Sequence, residues 1–365
     1  MTDTGFLSTA LLAWYGKEGR VLPWRIDVTN AYKVWLAEIM LQQTTVVTVI
    51  PYYEKFLAAF PTVHDLAAAS LDQVFHLWQG LGYYARARNL HRCAQIVSTD
   101  HKGAFPPTYA GLLTLPGIGS YTAAAVASIA FNKAAPVVDG NVIRVLSRFY
   151  CVETPLPQAK AIITDYAACL TPAHNPGDYA QAIMDLGATL CTARNPQCVR
   201  CPWKGGCGAF AAGSQADFPV KKPKPPVPQK EGVFFILQHP VTGALWIRKR
   251  PPTGLLGGLM EIPSSTWQIP ASGSDAAKTE TAGEARPGPF TDAPNPLLTW
   301  RPFADILPVV HVFTHFKLTL TFVGAVGFPA PGSPGEWMPW DDMTRHSWPT
   351  LMKKALKKLQ ASSGI

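Results

Sequence analysis

An all-α region followed by a smaller α/β domain is the architecture this sequence predicts. Three observations carry it. Apolar residues recur at helical spacing, with short connections, through about residue 190. A stretch dense in Pro and Lys, residues 219–230, then interrupts the pattern as a stiff, extended linker. Strand-like runs of β-branched and aromatic residues begin only beyond residue 230. The chain has 365 residues, 47% of them hydrophobic, which suffices for two cores. The expected divisions are a helical region over 1–217, a linker over 218–231, a second domain over 232–350 with a mobile insertion at 264–296, and a basic tail over 351–365.

Residues 6–15 place Phe6, Leu7, Ala10, Leu11 and Trp14 on one helical face. Leu22-Pro23-Trp24-Arg25 breaks that helix, and residues 32–50 predict a long one, apolar at Val34, Trp35, Leu36, Ile39, Met40 and Leu41. Glu38 lies among them. The stripes do not settle its surroundings, and on sequence geometry alone it reads as solvent-facing or as part of a surface pair. Pro51 is expected to open the next helix, 52–60, and Pro61 with Asp65 a further short segment. In Gly80-Leu81-Gly82-Tyr83-Tyr84-Ala85-Arg86-Ala87-Arg88 a tight connection delivers two Tyr and two Arg to a helix start. Such residues can stack on bases and hold phosphates; equally, the rings can be core and the Arg solvated. Helices over 156–170 and 177–190 complete the region. Beyond the linker, 233–237 and 244–248 flank a turn and read as a hairpin, strands return at 309–316 and 318–326, and 350–360 reads as a short basic helix.

The organising stretch is Leu115-Pro116-Gly117-Ile118-Gly119-Ser120-Tyr121-Thr122. It reads as a hairpin between helices, with Gly117 and Gly119 admitting φ > 0 and close backbone approach. The helix opened by Ser120 has unpartnered N–H groups at a positive dipole end, which suit a phosphate. Asp139 follows Val137-Val138 and precedes another helical run, where it can cap the helix or face the ligand.

The net charge of +8 is concentrated in the connector, +3 over 218–231, and in the last fifteen residues, +4. This fits a polyanion partner as well as solvated surface Lys. No run approaches the ~18 apolar residues of a membrane helix. The first residues lack the basic-then-apolar pattern of a signal peptide, so a soluble cytoplasmic protein with no membrane partner is expected.

Seven cysteines, an odd number, argue against a disulfide framework. Cys93, Cys151 and Cys169 sit singly in helical patterns and read as buried apolar residues. Cys191, Cys198, Cys201 and Cys207 are different: four thiols within seventeen positions form a metal-binding run. One close pair flanked by single cysteines suits an iron–sulfur cube better than the paired knuckles of zinc, without excluding zinc.

Taken in order, these motifs resemble the MutY-type adenine DNA glycosylases of the helix-hairpin-helix superfamily. The resemblance runs from about residue 14 to residue 340. It also rests on the run from Trp35 through Glu38 to Thr44, on Asp139-Gly140-Asn141, and on Phe313-Thr314-His315. It implies two helical lobes with a DNA site in the cleft between them, then a MutT (Nudix)-like domain. It implies a [4Fe–4S] cluster on Cys191, Cys198, Cys201 and Cys207. The implied partner is double-stranded DNA carrying adenine opposite 8-oxoguanine or guanine, bound by a monomer.

On this resemblance Glu38 is the general acid and Asp139 the second carboxylate. Tyr121 and Asn141 support Asp139 and the sugar. Arg25 and Gln181 line the adenine pocket. Gln42 and Tyr83 fill the space around the lesion pair. Gly117, Gly119 and Arg86 hold DNA phosphate. Phe313, Thr314 and His315 meet the oxoguanine, with Thr314 where the family often has Ser. The endonuclease III-like lyases carry a Lys where this chain has Tyr121, so strand cleavage is not expected. No Nudix-box acidic run follows Gly258, so diphosphate hydrolysis is not expected either. The competing readings are a bifunctional glycosylase/lyase and a non-catalytic zinc-containing nucleic-acid-binding protein.

Overall fold

The computed structural model describes residues 4–223, 225–270 and 291–362. The core of the mobile insertion expected at 264–296 therefore lies outside the described residues. The chain divides into two compact units: residues 1–71 with 86–224, and residues 72–85 with 225–365. A short piece of the helical sequence thus packs with the second unit.

The first unit is all helical. It comprises α1 (Thr4–Glu18), α2 (Ala31–Leu41), α3 (Val46–Ala59), α4 (Val63–Ala68), most of α6 (Ala85–Thr99), α7 (Tyr109–Leu113), α8 (Ser120–Phe131), α9 (Gly140–Phe149), α10 (Lys160–Leu170), α11 (Pro176–Asp185) and α12 (Gly208–Ala211). Its axis is α8, in which every residue from Thr122 to Ser128 is buried. The run of Ala explains this: small side chains let neighbouring helices pack on all sides.

The helix expected over 32–50 is two helices. The chain breaks after Leu41, Gln43 takes φ = 58°, and α3 begins at Val46. Pro51 lies inside α3 rather than opening a helix. Residues 186–190 form a π-helical turn instead of continuing α11. Of the three isolated cysteines only Cys93 is buried; Cys169 is exposed.

The second unit holds α5 (Leu71–Trp78), apart from its first residue, and a mixed seven-stranded sheet. Its strands are β1 (Gln229–Gln238), β2 (Leu245–Lys249), β3 (Met260–Glu261), β4 (Arg301–Pro302), β5 (Val309–Val312), β6 (Lys317–Val326) and β7 (Glu336–Met338). The central order is β3-β2-β1-β6-β4, with β5 pairing β6 and β7 pairing β2. Strands β1 and β6 run parallel over ten residues, and the other pairs are antiparallel. Period-two alternation sends Phe234 and Ile236 into one core and Phe235 and Leu237 into another.

The final segment is no tail. Residues Leu351, Met352, Ala355 and Leu359 of α13 (Thr350–Ala361) are buried in the first of these cores, leaving the lysines outward as an amphipathic pattern requires. The margins of the expected insertion are also packed: Ser264 bridges to Phe234, Gln268 bridges to Glu231, and Ala293 is buried. No described helix is long and apolar enough to cross a membrane.

Candidate active site

A cavity of about 1,100 Å³ opens in the helical unit. Its wall includes Arg25, Glu38, Gln42, Tyr121, Asp139, Asn141 and Gln181. Residues far apart in sequence thus meet because α2, α8, α11 and the N-terminal cap of α9 present them to one space.

Glu38 is only 4% exposed. Its Oε2 accepts a 2.6 Å hydrogen bond from the Tyr121 hydroxyl, which also lies 3.3 Å from the Met184 sulfur. Burial pushes the Glu38 carboxyl up to about 7; the Tyr121 bond partly offsets this, the Asp139 charge adds to it, and Arg25 opposes it. The solvent-facing reading from sequence geometry is thus corrected: Glu38 is desolvated, its turn of α2 being packed among neighbours from other helices. Tyr121 remains a phenol, since burial and the two carboxylates raise its pKa well above 10. Its bond goes to Glu38, not to Asp139 as the resemblance implied.

Asp139 caps α9. Its Oδ1 accepts from the Val142 N–H at 2.7 Å and its Oδ2 from Asn141 Nδ2 at 2.8 Å. Burial raises its pKa, and these donors work against that rise. Asn141 is itself held: Arg144 donates to Asn141 Oδ1 at 2.9 Å, to the Gly187 carbonyl at 2.6 Å and to the Cys191 carbonyl at 2.7 Å. The π-turn comes so near that a Cβ on Gly187 would lie 2.6 Å from Asn141 Cβ.

Arg25 lines the cavity through a clasp that sequence reasoning missed. Asp185, fully buried, takes paired bonds from Arg25 at 2.8 Å each and further bonds from Arg20, the shortest 2.6 Å. Burial pushes the Asp185 carboxyl up, but the Arg25 and Arg20 hydrogen bonds outweigh it and hold it below the usual carboxylate range. Asp185 had a visible signal: an acid inside the apolar run Ile183-Met184-Asp185-Leu186. Gln42 donates to Thr122 Oγ1 at 3.1 Å, and Gln181 is buried with Nε2 3.4 Å from the Gly177 carbonyl.

The hairpin precedes α8. Gly117 takes φ = 77°, and a Cβ there would meet Asn89 Cβ at 2.6 Å, so glycine is required. Gly119 differs from expectation: its φ is −94°, in the ordinary extended region, and it caps α8 without a side-chain bond. The phosphate reading of Arg86 is corrected. Its guanidinium donates to the carbonyls of Ile39 and Met40 at 2.9 and 3.0 Å, closing the C-terminus of α2.

In the sheet unit, Phe313-Thr314-His315-Phe316 turns between β5 and β6, with the Phe313 N–H bonded to the Phe316 carbonyl at 2.8 Å. Thr314 and His315 sit exposed at the tip, and Phe313 stacks on Trp267. Tyr83, which packs with this unit, has φ = 47° and shares a 2.7 Å hydrogen bond with Thr314 Oγ1. Its neighbour Tyr84 is core, edge-on to Phe75. Of the two tyrosines, Tyr84 is thus core and Tyr83 exposed.

The four-cysteine run surrounds an apolar pocket with Phe149, Trp203 and Phe210 in its wall. Arg148, 3% exposed, points a guanidinium nitrogen at the Cys191 sulfur at 3.4 Å. Apolar walls and an adjacent cation suit an anionic cluster of thiolates. Among the described residues no three His, Cys, Asp or Glu side chains are grouped closely enough for one metal ion. The corners of a cluster lie farther apart than the ligands of one ion do.

With this geometry in place, comparison with known proteins defines the class. Residues 36–166 match the HhH-GPD superfamily of base excision DNA repair proteins. Residues 191–207 match the iron–sulfur binding domain of endonuclease III, and 232–358 match a NUDIX domain. The helical unit is similar to a thermostable thymine-DNA glycosylase of known structure, with a TM-score of 0.53 and 29% identity, covering 57% of this chain and 97% of that one. The molecule is thus a DNA glycosylase of the helix-hairpin-helix class with a Nudix-like second domain and a [4Fe–4S] cluster. An adenine DNA glycosylase of Rattus norvegicus is 36% identical over 95% of this chain and 76% of its own length. Another, of Buchnera aphidicola, is 42% identical over 66% of this chain and 69% of its own. The chain belongs to the adenine DNA glycosylase family.

Proposed function

We propose that this protein acts in base excision repair by hydrolysing the N-glycosidic bond of adenine mispaired with 8-oxoguanine or guanine in double-stranded DNA. The observation that carries this reading is that Glu38 and Asp139, 101 positions apart by their numbers, line one cavity in unlike environments. Adenine must leave the base stack to be reached. Glu38, buried and held by Tyr121, carries a proton near neutral pH and delivers it to adenine N7, making the base a better leaving group. The bond breaks with its electrons going to the protonated base, and the sugar becomes oxocarbenium-like. Asp139, fixed by the Val142 N–H and Asn141, steadies that cation by charge or by a transient covalent bond before water adds.

Arg25, Gln181 and Gln42 shape the adenine pocket, and Gly117 and Gly119 leave backbone room for phosphate. Tyr83, Phe313 and the exposed Thr314 and His315 act on the oxoguanine. Cys191, Cys198, Cys201 and Cys207 hold the [4Fe–4S] cluster, which supplies a rigid, charged anchor for the loop that carries it. We infer further that the enzyme works as a cytoplasmic monomer, with residues 1–217 as the catalytic region, and without strand cleavage, because Tyr121 offers no amine for a Schiff base.

Base release from duplexes with adenine opposite 8-oxoguanine, guanine or thymine tests the proposal. Release is expected from the first two and not the third. Equal release from all three would refute the mispair reading. A borohydride-trapped protein–DNA adduct would overturn the monofunctional assignment, and its loss in Lys160→Ala would trace it to the lysine that lines the cavity.

A further inference from the structure

Asp185 has no role in the steps above, yet it takes four side-chain-to-side-chain contacts at 2.8 Å or less from two arginines, and its own side chain is fully buried. Arg25 lies at the cavity wall with Glu38, and its positive charge favours loss of the Glu38 proton. Arg20 lines the same cavity and holds the same carboxylate. In a low-dielectric setting two uncompensated cations would act strongly on a nearby acid. Among the described residues Asp185 is the carboxylate that pairs with both.

The other groups that face Glu38 are accounted for. From α8, Tyr121 donates to it. From the cap of α9, Asp139 presents a like charge, itself near Arg144. From α1, Tyr15 lies under the Arg25 guanidinium at 5.6 Å and carries no charge at neutral pH, its hydroxyl pKa being raised by burial. Against these, the Arg20–Asp185–Arg25 clasp is the one cationic cluster whose net charge a single carboxylate decides.

We propose that Asp185 is a positioning residue that neutralises the Arg20/Arg25 pair and thereby lets Glu38 keep its proton at neutral pH. The inference rests on the reading of Glu38 as the general acid, but its test does not depend on that reading. A clasp serving structure alone would only anchor the start of the chain to the end of α11. A clasp serving charge makes opposite changes in net charge move the Glu38 titration in opposite directions.

The experiment follows the Glu38 carboxyl directly, by the infrared band of its protonated form, assigned through its absence in Glu38→Gln. The full-length, cluster-loaded protein is used. In Asp185→Asn the midpoint is expected to fall by about one pH unit, and in Arg20→Gln to rise by about half a unit. Single-turnover adenine release should follow, its alkaline limb moving down in the first variant and up in the second. A folded Asp185→Asn whose midpoint stays put overturns the proposal. Removing one partner of a buried ion pair can also prevent folding. Arg20→Gln then decides alone: an upward shift supports the proposal, and an unmoved or lowered midpoint defeats it. Should the wild type release no adenine while these midpoints still move, the fault lies with the functional reading, not with the clasp.

Discussion

The two units build their candidate sites in opposite ways. The helical unit draws Arg25, Glu38, Tyr121, Asp139 and Gln181 from five separated segments and brings them to one cavity. The sheet unit draws Phe313, Thr314 and His315 from one turn between adjacent strands. Each unit also buries one carboxylate between two arginines. Asp185 takes Arg20 and Arg25, and Glu261 takes Arg248, at 2.7 Å, and Arg250. In the sheet unit the clasp ties β2 to β3 and lays Arg250 over Trp267, 5.5 Å from its ring, behind Phe313. In the helical unit the clasp borders a second, titrating acid. A convergent site couples charges that a local site leaves independent.

That contrast yields expectations of decreasing size. Glu38→Gln removes the proton donor, so single-turnover release should fall by at least ~10²–10⁴-fold, while duplex binding, measured by fluorescence anisotropy, persists. Retained release would remove the centre of the helical site. Asp139→Asn keeps an acceptor for the Val142 N–H but removes the charge. A loss of about 10²–10³-fold is expected on the same assay, in the range of an electrostatic stabiliser.

The coupling also has a pH signature. The Glu38 pKa is raised from 4.5 to about 7 by burial. The folded state therefore binds more protons than the unfolded state between those values, and stability declines as pH rises through that window. The full penalty above pH 7 is about 3 kcal/mol. Glu38→Gln should thus stabilise the protein in denaturant melts at pH 8 and gain little of this at pH 4.5. A pH-independent gain would mean that the carboxyl is not titrating in its buried place.

The local site should respond least. Thr314→Val removes the hydroxyl bonded to Tyr83, an exposed pair worth about 1 kcal/mol or less. Release from an adenine–oxoguanine duplex should slow by several-fold at most, with release opposite guanine unchanged. An equal loss on both duplexes would show that the turn does not distinguish the opposing base.

Legibility in the sequence follows the same division. The four cysteines and the LPGIG hairpin are local, so spacing and turn chemistry expose them. Phe313-Thr314-His315 came only from the family resemblance: the apolar run over 309–316 reads as strand, whereas β5 ends at Val312 and residues 313–316 turn. Glu38 and Asp139 were visible as anomalies, an acid in an apolar helix and an acid at a helix start, and only the family resemblance paired them. The linkage of Tyr121 to Glu38 spans 83 positions and that of Arg20 to Asp185 spans 165, and no local pattern encodes either bond. Arg86 shows the converse failure. A basic residue beside Tyr at a helix start suggests phosphate, yet its guanidinium donates to the helix-end carbonyls of Ile39 and Met40 in α2.

By itself the sequence determined the all-helical first region, the later mixed domain, the cysteine run and the family resemblance. These depend on periodicity, turn residues and short spacing, which act over a few positions. Only the tertiary structure decided that Glu38 is desolvated, that Tyr121 serves it, that Arg25 is clasped through Asp185 and that the final basic segment is a packed helix. Burial and electrostatics depend on what lies within a few ångströms in space, and the partners that set them come from distant parts of the chain.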